Sequence, residues 1–433
     1  MLKQLAGCVR EYKRPTILTL IFIVGEAVIE TIIPFITANL VNRIKAGASI
    51  ESVMEVGLLL IIMAAISLVC GGLAGFTCAK ASTGFAKNLR SDLFHRIQTY
   101  SFENIDKFSS SSLVTRMTTD VTNVQMAFMM LIRIAIRSPL LLIFSTVMAF
   151  VMGGKLAFVF VVVIPILAFG LLAIGKKAMP AFRSVFKKYD RLNESIEENV
   201  RGMRVVKGFS REEYEKQKFN TAADNIRKDF TKAECIVALN TPLMNLCMYI
   251  NMVVVLLVGS KLAITSGGSA LDVGQISGML TYGMQILMSL MMLSMIYVMV
   301  TMSAESAKRI CEVLEEEPSL KEPENPVMEV KDGSIEFKNV NFKYSARAKK
   351  YALSDIDLSI RSGMTVGIIG GTGSSKSSLV QLIPRLYDVT EGAVLVGGVD
   401  VRSYDIPTLR SAVAMVLQKN VLFSGTIKDN LRW

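Results

Sequence analysis

Between Met364 and Ile383 the chain reads Met-Thr-Val-Gly-Ile-Ile-Gly-Gly-Thr-Gly-Ser-Ser-Lys-Ser-Ser-Leu-Val-Gln-Leu-Ile. The apolar run Met364 to Gly370 predicts a buried strand, and the run from Ser378 to Ile383 predicts a helix. Between them Gly370, Gly371, Thr372, Gly373, Ser374, Ser375, Lys376 and Ser377 follow the phosphate-loop pattern G-x-x-x-x-G-K-[ST] at every fixed position but one. In such a loop backbone N–H groups face phosphate, the following helix adds the partial positive charge of its N-terminus, and the lysine reaches the outer phosphates. Lys376, Ser377 and the adjoining Ser378 stand where that chemistry needs them, with ATP and Mg2+ as the expected cofactors and Ser377 as an expected metal ligand.

The departure is Ser375, where the pattern has glycine. A side chain forced into a glycine-only conformation costs about 1–3 kcal/mol, or roughly 5- to 150-fold in affinity if all of it opposes binding. The sequence therefore predicts a weakened nucleotide site.

The rest of the chain belongs to a bilayer. Of its 433 residues 51% are hydrophobic, and the mean hydropathy is +0.44, too apolar for a soluble enzyme of this length. The net charge of +11 does not point to nucleic acid, because the basic residues lie beside spanning segments rather than in an aromatic-interleaved patch. Cys8, Cys70, Cys78, Cys235, Cys247 and Cys311 show no C-x-x-C spacing and read as packing residues, and His95 has no metal-ligand company. Met1 to Pro15 is a short basic segment leading straight into a span, so no cleavable signal is expected.

Six stretches are long enough to cross a hydrocarbon core: Ile17 to Ala38, Val56 to Cys78, Ala127 to Met152, Leu156 to Ile174, Pro242 to Ile264 and Ile276 to Met302. The links after the first, third and fifth are short. Ala79 to Met126 and Gly175 to Thr241 are long, charged and poor in helix breakers, so the spanning helices are expected to continue tens of ångströms beyond the bilayer. About 25 Lys and Arg lie on the N-terminus and the two long links, against four (Arg43, Lys45, Lys155, Lys261) on the short ones. That asymmetry predicts a multi-pass protein of the inner or plasma membrane with its N-terminus and long links cytosolic.

Glu305 to Glu317 reads as a charged amphipathic helix and Pro318 to Pro326 as a linker. Strands are expected at Ser334 to Tyr344, Tyr351 to Ile360, Ala393 to Val396 and Val413 to Leu417. The predicted fold is an α-helical six-span transmembrane bundle with long cytosolic helical extensions (1–317), a linker (318–333) and a partial α/β P-loop ATPase domain (334–433). About 100 residues follow the linker, under half of a usual two-lobed ATPase domain. Six spans joined to a phosphate loop predict an ATP-driven membrane machine and exclude a soluble P-loop kinase.

Within the first span Glu26 and Glu30 lie one turn apart on a single face. Charge at that depth is costly and faces a water-filled path or a partner. A cation-recognising substrate cavity is one reading; a pair that packs on a partner subunit or is protonated is the other. Met284, Met288, Met291, Met292, Met295 and Met299 recur at helical spacing, which suits either a promiscuous cavity wall or plain packing. Asn245, Asn251 and Gln285 fit substrate contact or interhelical hydrogen bonds, and Arg133 and Arg137 are expected to snorkel to the cytosolic rim.

Phe102-Glu-Asn-Ile-Asp-Lys-Phe-Ser-Ser-Ser-Ser-Leu-Val-Thr-Arg-Met-Thr-Thr-Asp-Val in the first long link and Gly202-Met-Arg-Val-Val-Lys-Gly-Phe-Ser-Arg-Glu-Glu in the second resemble the two coupling-helix regions of ATP-binding cassette exporters, and the resemblance covers the whole chain. It implies that Tyr344 stacks on adenine. It also implies that Gln418, in Met415-Val-Leu-Gln-Lys-Asn-Val-Leu-Phe-Ser-Gly-Thr-Ile, is the glutamine that binds magnesium or the attacking water and reports nucleotide state to the coupling helices. Gly397 and Leu417 depart from the aspartate and proline usual at those places. The family's signature loop, second acidic motif and switch histidine are expected beyond Trp433, so the chain reads as truncated within the ATPase domain, and without the catalytic carboxylate water is not activated.

The resemblance implies one half-transporter of an ATP-driven exporter that moves small amphipathic or drug-like compounds out of the cytosol by alternating access. It also implies a second half-transporter subunit as partner, and Ser375 tilts the choice from homodimer to heterodimer. A non-catalytic ATP-binding partner half and an inactive truncated fragment are the competing readings.

Overall fold

The computed structural model describes residues 2–269, 271–345, 348–418 and 421–432. By their contacts they form two compact units, Met1–Arg90 with Thr119–Arg309, and Ser91–Thr118 with Ile310–Trp433.

The first unit is helical. Its long helices are α1 (Lys13–Lys45), α2 (Ile50–Gln98), α5 (Val121–Gly153), α6 (Phe158–Arg201), α8 (Glu212–Ala238), α9 (Asn240–Thr265) and α10 (Val273–Glu315), with the short helix α7 (Met203–Gly208) in the second long link; the ends of α2 and α10 and the short helices α3 (Phe102–Phe108) and α4 (Ser110–Thr115) of the first long link belong to the second unit. At 1.5 Å per residue α2, of 49 residues, is about 73 Å long, more than twice a hydrocarbon core, as the unbroken first link predicts. Among the described residues five helical runs are long and apolar enough to span a membrane. The third, Ser110–Phe182, contains both the third and fourth predicted stretches. The chain reverses between them at Gly154, whose φ of +51° no bulky residue adopts cheaply, so the six stretches occupy five runs.

Small residues let these helices pack. In α1 the buried positions Thr19, Ile23, Ala27, Thr31, Pro34 and Ala38 recur every three to four residues and form one stripe. Ile17, Ile21, Val24, Val28 and Ile32 on the other faces are exposed, as lipid contact requires. A Cβ on Gly274 would lie 2.0 Å from the Ala38 carbonyl oxygen, so α1 and α10 touch backbone to backbone there. Met279, Tyr282 and Ile286 of α10 join Phe160, Met152 and Val255 in the core beneath.

The second unit holds a four-stranded antiparallel sheet of β1 (Ile335–Phe342), β2 (Leu353–Ile360), β3 (Glu391–Val396) and β4 (Val399–Asp400), in the order β2-β1-β3-β4. Strands β1 to β3 fall on three of the five expected segments. A bulge in β1 puts Asn339 at φ +45°, and a Cβ on the facing Gly392 would sit 2.3 Å from the Asn339 oxygen, so only glycine fits. Helices α11 (Lys376–Leu382), α12 (Ile406–Ala412) and α13 (Ile427–Leu431) follow in chain order among these strands, and Leu382 and Leu409 pack on Phe337, Val340, Phe342 and Val394.

Two expected strands are corrected. Met364 to Gly370 and Val413 to Leu417 carry no strand, and Ile369 is 98% exposed. Both are short apolar runs without alternation, which only flanking strands can hold as a parallel sheet, and among the described residues no strand pairs with either.

Candidate functional site

The phosphate loop keeps its own order without a preceding strand. Lys376 Nζ donates to the carbonyl oxygens of Gly370 and Gly371, both at 2.8 Å, and lies 3.2 Å from Ser374 Oγ. Ser374 N–H also donates to Gly371 O at 3.3 Å, which closes the turn around Gly373 at φ +82°. Gly370, Gly371, Thr372, Gly373 and Ser374 are exposed, Ser377 is exposed beside them, and Ser378 is buried.

Ser375 is the N-cap of α11 and sits at φ +61°, ψ +23°, with no capping bond from its side chain. This is the left-handed α region, not a glycine-only one, and it costs a non-glycine residue about 1–2 kcal/mol. The expected strain is therefore present, at the lower end.

Tyr344 borders the loop. Its hydroxyl bonds Ser378 Oγ at 2.7 Å and donates to Gln381 Oε1 at 3.3 Å, both on α11. Its ring meets Phe342 at 4.8 Å and Tyr387 at 5.2 Å, nearly perpendicular to each, and 42% of the residue remains exposed. Gln418 is exposed in the irregular segment after α12 and makes no hydrogen bond to the loop among the described residues; Lys419 and Asn420 of its run lie outside them, as does Trp433. The structure thus brings Tyr344, Gly370, Gly371, Ser374, Lys376 and Ser378 together and leaves Gln418 apart. The fit to ATP is chemical: an ammonium group, hydroxyls and exposed amides suit a polyphosphate, and the Ser377 hydroxyl suits a hard cation such as Mg2+.

In the helical unit Glu26 and Glu30 have a cation within the chain. Arg137 Nη2 of α5 donates to both Glu30 oxygens at 2.6 and 2.7 Å and lies 3.5 Å from Glu26 Oε1. Arg137, expected at the rim, is this partner instead. Glu26 fits because Gly71 faces it, where a Cβ would stand 3.2 Å from Oε1.

A second feature of α1 was not read from sequence. Pro34 lacks an N–H, so the Glu30 carbonyl four residues earlier loses its helical donor. Gln285 Nε2 of α10 donates to that oxygen at 3.3 Å, and Gln285 Oε1 accepts from Ser145 of α5 at 2.8 Å. Tyr282 donates to the next carbonyl, Thr31 O, at 2.7 Å. A proline four residues after Glu30 was the available signal. Nothing local pointed to Gln285, which answers the interhelical reading of that residue. Arg309 of α10 forks onto the fully buried Asp120 of the first long link through Nε and Nη2.

Residues 16–290 match the family described as the ABC transporter transmembrane region, and residues 353–432 match the ABC transporter family. The uncharacterized ABC transporter ATP-binding protein YfiB of Bacillus subtilis is 33% identical over 416 residues, covering 96% of this chain and 72% of that protein. An uncharacterized ABC transporter ATP-binding protein of Mycobacterium tuberculosis is 32% identical over 427 residues, 98% of this chain and 73% of its own. A third relative, a putative ABC transporter ATP-binding protein of Mycoplasma pneumoniae, is 28% identical over 397 residues, 90% of this chain and 64% of its own. With helices able to span a membrane and a phosphate loop on one polypeptide, the chain belongs to the ABC transporter family as a membrane protein with an ATP-binding portion.

Proposed function

We propose that the chain is one subunit of an ATP-driven exporter that carries small amphipathic or drug-like compounds out of the cytosol by alternating access. The observation that carries this reading is Lys376, held in a formed phosphate loop on the same polypeptide as the spanning helices. In this reading Tyr344 takes the adenine face. Gly370, Gly371, Thr372, Gly373, Ser374, Ser375 and Lys376 take the phosphates, with Ser378 seating Tyr344. Ser377 and Gln418 would hold Mg2+, which would neutralise phosphate charge. The N-terminus and nucleotide portion are cytosolic, and the membrane is the inner or plasma membrane.

Glu26 and Glu30 stay in the reading as substrate contacts, with a refinement. Two carboxylates and one guanidinium leave one negative charge, so an entering cation would share Glu26, the more weakly held of the two, with Arg137. A second half-transporter completes the assembly, with a heterodimer favoured because Ser375 departs from the phosphate-loop pattern in this half. The rival reading, a non-catalytic ATP-binding half, draws on the same residue.

Co-expression with a complete half-transporter, reconstitution into vesicles and ATP-dependent uptake of a cationic dye test the proposal. Transport abolished by Lys376→Ala in this chain supports it. Transport indifferent to Lys376→Ala, with ATP still bound by the wild type, moves the assignment to the non-catalytic half. Absence of ATP binding by wild type removes both.

A further inference from the structure

Tyr387 links the base-side tyrosine of the loop to helix α3 of the first long link. It lies in the core of the second unit, 9% exposed, five residues beyond the end of α11 in the sequence Pro384-Arg-Leu-Tyr-Asp388. On one side its ring stands perpendicular to Tyr344, with centroids 5.2 Å apart. On the other its hydroxyl donates to Asp106 Oδ2 at 2.8 Å, and its ring meets Phe102 at 5.9 Å. Asp106 and Phe102 both belong to α3. Burial, then the bond to Asp106 and the charge of that carboxylate, push the Tyr387 phenol well above its ordinary range, so it stays a proton donor at neutral pH.

Helix α3 is itself firmly set. Ser101 and Asn104 form a capping box at its start, and Asn104 Nδ2 donates to Glu316 Oε1 and to the Glu317 carbonyl at 3.1 and 3.0 Å. Lys107 pairs with Glu316 at 2.6 Å. The backbone that carries Asp106 is therefore held in place.

We propose that Tyr387 is a positioning residue for base recognition: the hydroxyl bond to Asp106 fixes the ring that backs Tyr344, so the seating of α3 sets how well Tyr344 receives a purine. This rests on the reading that Tyr344 stacks on the base. Coupling is reciprocal: whatever shifts α3 changes base affinity, and a bound base biases α3. The phosphate end, held by Lys376 and the loop carbonyls, lies outside this path.

The test measures affinities of the full chain in nanodiscs for ATP and for inorganic tripolyphosphate, which has the phosphates but no base. Tyr387→Phe and Asp106→Ala should each weaken ATP by about 2- to 10-fold, the worth of one hydrogen bond, and leave tripolyphosphate unchanged. The double variant should be no weaker than either single one. Asp106→Asn, whose amide oxygen still accepts the phenol proton, should bind ATP as the wild type does. Equal loss of both ligands, or unchanged ATP binding in Tyr387→Phe, overturns the proposal. Tyr344→Ala separates the two readings: if it lowers ATP alone while Tyr387→Phe does nothing, the base site stands and the link falls. If Tyr344→Ala changes neither ligand, the base site itself is wrong and the link falls with it.

Discussion

Replacing Ser375 with glycine tests where the loop's strain is spent. Ser375 already holds φ +61° in a turn closed by the loop's own bonds, Lys376 to Gly370 and Gly371 and Ser374 to Gly371. The cost of about 1–2 kcal/mol for a side chain in the left-handed region is therefore met when the chain folds. Ser375→Gly relieves it but frees the unfolded chain by about 0.5–1 kcal/mol, for a net gain of about 0–1.5 kcal/mol in stability. Because the strain is common to the loop before and after binding, it cancels from affinity. Calorimetric titration of the full chain in nanodiscs with ATP and Mg2+ should give a dissociation constant within about 3-fold of wild type. Lys376→Ala serves as the loss control, about 10- to 150-fold weaker for a charged hydrogen-bond donor. A tightening above about 10-fold in Ser375→Gly would refute the argument, since it would mean that the loop must leave this conformation to accept phosphate. The expectation from sequence, a 5- to 150-fold penalty on binding, then returns.

Arg137→Gln strands two carboxylates that are 13% and 30% exposed, and should cost about 1–3 kcal/mol, below the range for a fully buried pair; the neutral triple variant with Glu26→Gln and Glu30→Gln should regain most of it in thermal unfolding. Gly274→Ala forces a methyl 2.0 Å from the Ala38 oxygen and should cost about 1–3 kcal/mol, while Gly72→Ala, with nothing within 4 Å, should be neutral; equal effects would disprove the close approach. Tyr100, which donates to Val313 O at 2.7 Å, has its phenol pushed up to about 12 by burial and then by Glu316. Its folded value lies above the unfolded one near 10, so its contribution is full below pH 10 and is lost as pH rises toward 12. Tyr100→Phe should flatten that part of the stability profile, and an unchanged profile would remove Tyr100 as its source.

Much of the fold was legible because its signals are local. The alternation of Ile335 to Phe342 and Leu353 to Ile360 predicts strands that one neighbour each can complete, and both formed. Met364 to Gly370 shows only that it is apolar. Whether such a run becomes a strand depends on neighbours its own residues do not name. Depth in an apolar span marked Glu26 and Glu30 as unusual, yet Arg137 lies 107 residues on from Glu30 in sequence, and only packing brings it there. The Tyr387–Asp106 bond has a separation of 281, beyond any periodicity. Ser375 was legible as an exception, but its backbone angles, which set the size of the effect, were not.

Pro34 turns a weakness of α1 into a joint. Its missing amide leaves the Glu30 oxygen to a side chain on another helix, and a single Gln285 bond can be exchanged for water or another donor without unzipping the ladder on either side. One turn further along, Ala38 is pressed directly against Gly274 and has no such freedom. The outer part of α1 should therefore travel as one piece with α10, while the part carrying Glu26 swings about Pro34, so a change of angle there moves the carboxylates without pulling the two helices apart.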